Sequence, residues 1–284
     1  MSIRHVTLVG AGVLGAQIAF QTAFKGFDVS AYVPDQAALD KAGKVIGWLQ
    51  RRYLQDIDGA DPQALAAAAG RIRWTTDLAA AVKDADLVIE AIPEQLELKR
   101  RVYAELGRLA PATAIFATNS STLLPSAMAD ATGRPERFIA LHFANEIWLH
   151  NVAEVMGHAG TDPEVFSTLV RFANDIGMVP VEIHKEKAGY VLNSLLVPLM
   201  SAASELLVDG IAEHEAIDRT WKIATGSPRG PFEIYDIVGL GTAYHISLAG
   251  GPKQQAFARL LKERYIDHGK LGVETGEGFY RYES

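Results

Sequence analysis

Residues 8–35 read LVGAGVLGAQIAFQTAFKGFDVSAYVPD. A β-rich run over residues 3–9 feeds into Gly10-Ala11-Gly12-Val13-Leu14-Gly15. Residues 13–24 then carry the apolar positions of a helix, among them Val13, Ala16, Ile18 and Phe20. A second β-rich run follows at 29–33. In a strand–turn–helix of this kind each glycine has a separate task. Gly10 permits the tight turn, Gly12 lets backbone approach a pyrophosphate, and Gly15 lets helix and strand pack closely. The helix N-terminus offers unpaired N–H groups and a positive dipole end to the phosphates. The stretch therefore predicts a dinucleotide-binding unit. Its end departs from that pattern. The tip of the second strand, where an acid commonly receives the ribose hydroxyls, reads Val33-Pro34, and the first carboxylate is Asp35.

Strands recur at 87–90, 114–117 and 138–141, with helical segments between several of them. Residues 36–70 read as helix, broken near Asp56-Ile57-Asp58-Gly59. That alternation predicts an α/β domain, a parallel sheet covered on both faces. After about residue 187 the pattern becomes helical, with runs at 190–207, 213–225 and 253–266 separated by Gly226-Ser227-Pro228 and Gly250-Gly251-Pro252. The run at 190–207 is mostly apolar and needs cover from the first domain or from another subunit. The expected division is 1–187 and 188–284.

The chain has 284 residues, 49% apolar and 21% charged, which is ordinary globular composition. A net charge of −7 argues against a broad nucleic-acid surface. The absence of cysteine removes disulfides and thiolate chemistry. No apolar run approaches membrane-spanning length, and MSIRHVTLVGAG has no long apolar region of a signal peptide. A cytoplasmic protein without a membrane partner is the expectation.

Polar residues stand out against apolar surroundings: Thr118-Asn119-Ser120-Ser121-Thr122 after one strand, His142 in IALHFAN, Glu154 in NVAEVM and Asn193 in GYVLNSLLVP. Each has an ordinary structural reading: helix cap, packed strand-end histidine, exposed strand residue, buried helix contact. His142, His150 and His158 are too spread for an ordinary metal motif, and no HExxH occurs, so no metal is expected.

The order of motifs resembles the 3-hydroxyacyl-CoA dehydrogenase family, including its short-chain 3-hydroxybutyryl-CoA dehydrogenases. The resemblance runs nearly end to end. It is carried by GAGVLG, IEAIPEQLELK at 89–99, TNSSTL at 118–123, LHFAN at 141–145, Glu154, GYVLN at 189–193, SPRGPFEIYDIVGL at 227–240 and TGEGFYRY at 275–282. It implies a Rossmann-type N-terminal domain, an all-α C-terminal domain that dimerises, and reversible NAD-dependent oxidation of an L-3-hydroxyacyl-CoA. Carried over by position, His142 is the catalytic histidine and Glu154 its paired acid. Ser121 and Asn193 hydrogen-bond the reacting substrate. Glu94, Lys99 and Asn145 line the cofactor site, beside the turn of Gly10, Gly12, Val13, Leu14 and Gly15. Asp35 is the candidate for the ribose. Coenzyme A would bring phosphates, and Lys44, Arg51 and Arg52, in a helical stretch that also contains Lys41, form a candidate landing surface in an otherwise acidic chain.

Three positions depart from the family's pattern. Val33 stands in place of the ribose acid, LHFANE replaces LHFFNP so that Ala144 and Glu146 replace a ring and a proline, and Glu274 precedes TGEGFY where some members have lysine. These leave open another secondary alcohol, such as a sugar acid or carnitine, or a non-catalytic member of the family. The retained Ser121, His142, Glu154 and Asn193 favour an active enzyme.

Overall fold

The structure, a computed structural model, describes residues 2–282. The chain forms two compact units that divide between Val191 and Leu192.

The first unit runs β1 (His5–Val9), α1 (Val13–Phe24), β2 (Asp28–Tyr32), α2 (Gln36–Asp56), α3 (Pro62–Gly70), β3 (Ile72–Thr75), α4 (Leu78–Val82), β4 (Leu87–Glu90) and α5 (Leu96–Leu109). It continues with β5 (Ile115–Thr118), β6 (Phe138–Phe143), β7 (Val152–Met156), α6 (Pro163–Asp175) and β8 (Val179–Ile183). One sheet has the order β3-β2-β1-β4-β5-β6-β7-β8. Every neighbouring pair is parallel except β6 and β7, which are antiparallel. A wholly parallel sheet is thus corrected at one pairing, beyond which β7 and β8 both run opposite to the other six strands. The connection Ala144–Asn151 is too short for a helical crossover, so β7 must return alongside β6 in the opposite sense.

Alternation along each strand feeds two cores. Leu8, Ile89, Ile115 and Leu141 pack with Phe20 and Tyr53 of α1 and α2. Val9, Val88, Phe116 and Phe138 pack with Tyr103 and Leu106 of α5. A strand buried on both faces reads as a continuous apolar run, as β1 and β4 do. Tyr53 is fully buried, yet its hydroxyl donates to Gln21 at 2.5 Å, so the aromatic body stays inside without an orphaned polar tip.

The second unit is helical: α7 (Leu192–Val208), α8 (His214–Thr225), α9 (Pro231–Val238), α10 (Leu240–Leu248) and α11 (Pro252–Arg264). Its core gathers Phe232, Tyr235, Leu240, Phe257, Leu261 and Phe279. Two buried carboxylates tie its segments together. Asp218 accepts from the N–H groups of Phe232 and Glu233, and Asp236 from those of Phe279 and Tyr280. Among the described residues no helix is long and apolar enough to cross a membrane.

Candidate active site

The glycine turn leaves β1 at the carboxyl edge of the sheet, the edge where open α/β sheets bind ligands. Gly10 has φ +96°, and a Cβ there would lie 2.7 Å from the carbonyl oxygen of Ala91. A Cβ on Gly15 would lie 2.1 Å from the carbonyl oxygen of Gly10. Gly12 differs, because a Cβ there would meet no atom within 4 Å. Two glycines are therefore demanded by packing within the protein, and the third keeps a backbone surface open. No acid stands in the first turn of α1 to oppose a phosphate. Val13 is exposed and Leu14 half-buried beside this opening. The turn fits a dinucleotide.

The second-strand tip is built otherwise. Val33 is buried, and its N–H donates to the carbonyl of Thr75 at 3.1 Å. Asp35 does not reach back toward the turn. Its carboxylate caps α2 by accepting from the N–H of Ala38 at 2.8 Å.

Three proposed catalytic groups come together in the first unit. His142 lies directly opposite Glu154 in the β6–β7 register. Glu154 Oε2 lies 2.9 Å from Nδ1, and Ser121 Oγ lies 3.1 Å from Nε2. The imidazole is 4% exposed and the carboxylate residue 2%. The other oxygen, Oε1, accepts from the N–H of Val191 at 2.8 Å. A carboxylate can only accept, so Nδ1 carries a proton and Nε2 is left as the acceptor of the Ser121 hydroxyl. This is the tautomer a base needs. Asn193 lies on the first turn of α7, in the second unit.

The loop carrying Ser121 is fastened by Glu94. One of its oxygens accepts from the hydroxyls of Ser120 and Thr122, at 2.5 and 2.8 Å, and from the N–H of Thr122 at 2.9 Å. Burial pushes the Glu94 carboxyl up. The bonds from Ser120 and Thr122, together with the Lys99 charge, outweigh it and leave the group below its ordinary 4.5.

Lys99, expected to line the cofactor site, is enclosed in the first unit. Its ammonium is buried, paired with Glu90, and bonded to the carbonyl of Ile92 at 3.1 Å. Glu90, which the sequence reading passed over, also accepts from the hydroxyls of Thr118 and Tyr103 and from the N–H of Ile92. The signal was present in LVIE, an acid ending an otherwise apolar strand. Asn145 is exposed just beyond β6.

The basic candidates for CoA separate. Lys44 and Arg51 are exposed on α2. The Arg52 guanidinium pairs with Asp56 at 3.0 Å and Glu146 at 3.3 Å, and lies 5.7 and 5.8 Å from the rings of Trp48 and Trp148. Its charge is already matched by two carboxylates. Glu274 is exposed in the second unit.

Comparison with known proteins follows from this geometry. Residues 5–187 match the family model for the 3-hydroxyacyl-CoA dehydrogenase NAD binding domain, and residues 189–282 match the model for the C-terminal domain. The chain belongs to the 3-hydroxyacyl-CoA dehydrogenase family. It is 36% identical over 289 residues to a probable 3-hydroxyacyl-CoA dehydrogenase of Caenorhabditis elegans, covering 99% of this chain and 93% of the relative. Among solved structures it is similar to a diketoreductase described as acting on dicarbonyl compounds, with 63% identity, a TM-score of 0.95, and 99% and 100% of the two chains covered. It is also similar to an (S)-3-hydroxybutyryl-CoA dehydrogenase from Ralstonia eutropha, with 28% identity, a TM-score of 0.83, and 100% of each chain covered. The chain is an NAD-dependent oxidoreductase of this family, and its first unit has the Rossmann-type architecture.

The glycines should respond differently to a single methyl group. Gly15→Ala should lower stability by about 1–3 kcal/mol, the usual cost of overpacking. Gly12→Ala should leave the unfolding temperature near the parent's yet weaken NADH in a fluorescence titration. Parent-like NADH binding by Gly12→Ala would remove that glycine from the phosphate site.

The depressed pKa of Glu94 has a definite sign. Its folded value lies below its unfolded one, so its contribution is present above about 4.5 and lost as pH falls through the folded value. Glu94→Gln should therefore lose less stability than the parent between about pH 5 and pH 3, read from denaturant midpoints.

Proposed function

We propose that this enzyme interconverts an L-3-hydroxyacyl-CoA and the corresponding 3-ketoacyl-CoA, with short acyl chains preferred. The observation that carries the reading is the line Ser121–His142–Glu154, with contacts of 3.1 and 2.9 Å at the carboxyl edge of the sheet. The names carried by the relatives support it.

Bound NAD supplies the hydride acceptor. Gly10, Gly12, Val13, Leu14 and Gly15 would hold its pyrophosphate, while Glu94 and Asn145 would face the rest of it. Lys99 acts from below through Glu90 and Glu94. With Val33 buried and Asp35 spent on a helix cap, the grip is assigned chiefly to the turn and the α1 N-terminus. No lysine or arginine lies between Val33 and Lys41, so a 2′-phosphate has no local partner there and NAD is favoured over NADP.

Oxidation of the secondary alcohol requires a base. Neutral His142 accepts the hydroxyl proton at Nε2, and Glu154 compensates the imidazolium charge as it forms. In this reading the substrate hydroxyl takes the place of Ser121 at Nε2, and the Ser121 hydroxyl, with Asn193, donates to the substrate oxygen, where negative charge builds. In the reverse direction His142 returns the proton as a general acid. Residues 1–187 carry the cofactor and the base in this reading. Residues 188–284 carry Asn193 and a homodimer face, on which exposed Leu195, Ile223 and Ile246 would find cover. Placement of the dimer in the cytoplasm rests on the sequence alone.

A second substrate reading is favoured by Arg52. Its charge is matched by Asp56 and Glu146, which leaves Lys41, Lys44 and Arg51 of that stretch for coenzyme A phosphates. A dicarbonyl compound without coenzyme A would need no such charges, and the diketoreductase similarity points the same way.

His142→Gln should cut turnover by about two to four orders of magnitude while NADH affinity stays near the parent's. In the parent, alcohol oxidation should rise with pH and ketone reduction should fall, because the two directions need opposite protonation states of His142. Glu154→Gln should move the reduction profile to lower pH, since the imidazolium loses its compensating charge. Parent-like turnover of folded His142→Gln would remove the base assignment.

NADH absorbance with acetoacetyl-CoA, free acetoacetate and an uncharged dicarbonyl ester should decide the substrate class. The highest kcat/KM is expected with acetoacetyl-CoA. A higher value with the free ester would establish the second reading in its place.

A further inference from the structure

The histidine has a ring face that the reaction does not account for. Ser121 occupies one ring nitrogen and Glu154 the other, but hydrogen bonds at the ring edge leave the imidazole able to tilt about the line joining them. One face is covered by Tyr190. The two ring centroids lie 4.4 Å apart with an interplanar angle of 10°, a stacked pair. Tyr190 is 1% exposed, so the stack is an internal contact.

Tyr190 is also tied at its far end. Its hydroxyl donates to the carbonyl of Ser120 at 2.7 Å, and Ser120 immediately precedes the serine that meets Nε2. The next residue, Val191, donates its N–H to Glu154 Oε1. Two consecutive residues therefore touch two members of the line and the neighbour of the third: Tyr190 the imidazole face and the Ser120 carbonyl, Val191 the carboxylate. Burial, with the charges of Glu94, Glu154 and Glu90, pushes the phenol far above its ordinary value. The hydroxyl is held as a donor to the Ser120 carbonyl.

The backbone pays attention to this placement too. Tyr190 adopts φ +52°, in the left-handed region that bulky residues avoid. Such a conformation persists only where surrounding contacts over-determine it, and these outliers cluster at functional sites. Here the over-determining contacts are the stack and the hydroxyl bond. A residue needed only to fill the core would not require both a strained backbone and a polar tether aimed at the serine loop.

We propose that Tyr190 is a positioning residue for the proton transfer: its ring fixes the plane of His142, and its hydroxyl locks the Ser121 loop to that same ring. The two functions reside on different atoms and can be removed separately. Tyr190→Phe keeps the stack and loses the tether. Tyr190→Leu loses both. The proposal rests on His142 being the base, and spectroscopy of the imidazole reads the stack without any reference to turnover.

The test combines steady-state kinetics with proton NMR of the histidine ring. An imidazole over a phenol face lies in the shielding region of its ring current. The His142 Cε1 proton, assigned by its absence from the His142→Gln spectrum, should be shifted upfield in the parent. The shift should persist in Tyr190→Phe and vanish in Tyr190→Leu. Turnover should fall about threefold to tenfold in Tyr190→Phe, the range for one neutral hydrogen bond. It should fall about 100-fold in Tyr190→Leu, the cost of a catalytic group displaced by roughly an ångström. KM and NADH affinity should change little in either variant, which separates positioning from general loss of structure. An unshielded His142 proton in the parent would overturn the stack. Parent-like kcat in Tyr190→Phe would overturn the tether. A fall in Tyr190→Leu confined to KM, or matched by an equal loss of NADH binding, would overturn the positioning role as a whole.

Discussion

Burying an imidazole beside a carboxylate is costly, and most of this site exists to make it tolerable. A charge removed from water must be paired and hydrogen-bonded on every open side. Glu154 meets that requirement with both oxygens, one facing Nδ1 of His142 and one accepting the Val191 N–H. The pairing is possible because β7 runs antiparallel to β6, which sets the two residues directly across from each other. In an antiparallel pair, directly opposed side chains stand about 5 Å apart at Cβ, within reach of a single hydrogen bond. The single reversal in an otherwise parallel sheet is thus the constraint on which the site depends.

A second buried carboxylate works one layer away. Glu90 ends β4 and accepts from Lys99, Thr118, Tyr103 and the Ile92 backbone. These partners belong to α5, to the end of β5 and to the loop after β4. One anion therefore joins three segments beside the glycine turn. Lys99 is shared with Glu94 at 3.4 Å, and Glu94 in turn holds the Ser120–Leu123 loop. The chain of contacts runs from the sheet interior to the serine that meets His142. Fully satisfied polar networks of this kind rigidify what they touch. That rigidity is what a reaction dependent on alignment requires.

Much of the framework was legible in the sequence where local chemistry fixes local structure. The glycine turn and the periodic run at 13–24 mark α1, and the break near Asp56–Gly59 separates α2 from α3. The edge strands β3 and β8 were not legible, because partial exposure gives them no continuous apolar run. A strand at Glu154 was one of the sequence readings, but as an exposed position, whereas the residue is buried in the middle of β7. The division of α9 from α10 turns on Gly239, at φ +91°, within a segment that otherwise reads as one apolar stretch. At the site, His142 and Glu154 were each visible as polar residues in apolar settings, but their partnership came from the family resemblance. Strand register is a tertiary property, and a separation of 12 residues does not state it. The ion pair of Arg52 with Glu146 was hidden for the same reason, since the two residues lie 94 apart in sequence.

Glu146 also shows how a single substitution can redirect a loop. Where many family members have proline, this residue adopts φ +58° and donates its N–H to Gln17 Oε1 at 2.8 Å. Proline can do neither, since its ring fixes φ near −65° and it has no N–H. The segment after β6 must therefore follow a path here that a proline-bearing relative cannot copy. That path places the Glu146 carboxylate against Arg52, which lies near the rings of Trp48 and Trp148, while the Trp148 indole donates to Asp56 at 2.8 Å. The result is a loop that, four residues beyond His142 in sequence, gathers two carboxylates and two indole rings around the Arg52 guanidinium. The departure at residue 146 thus acts on the path of the chain after β6 and on the charge around Arg52, and it leaves His142 and Glu154 paired across β6 and β7.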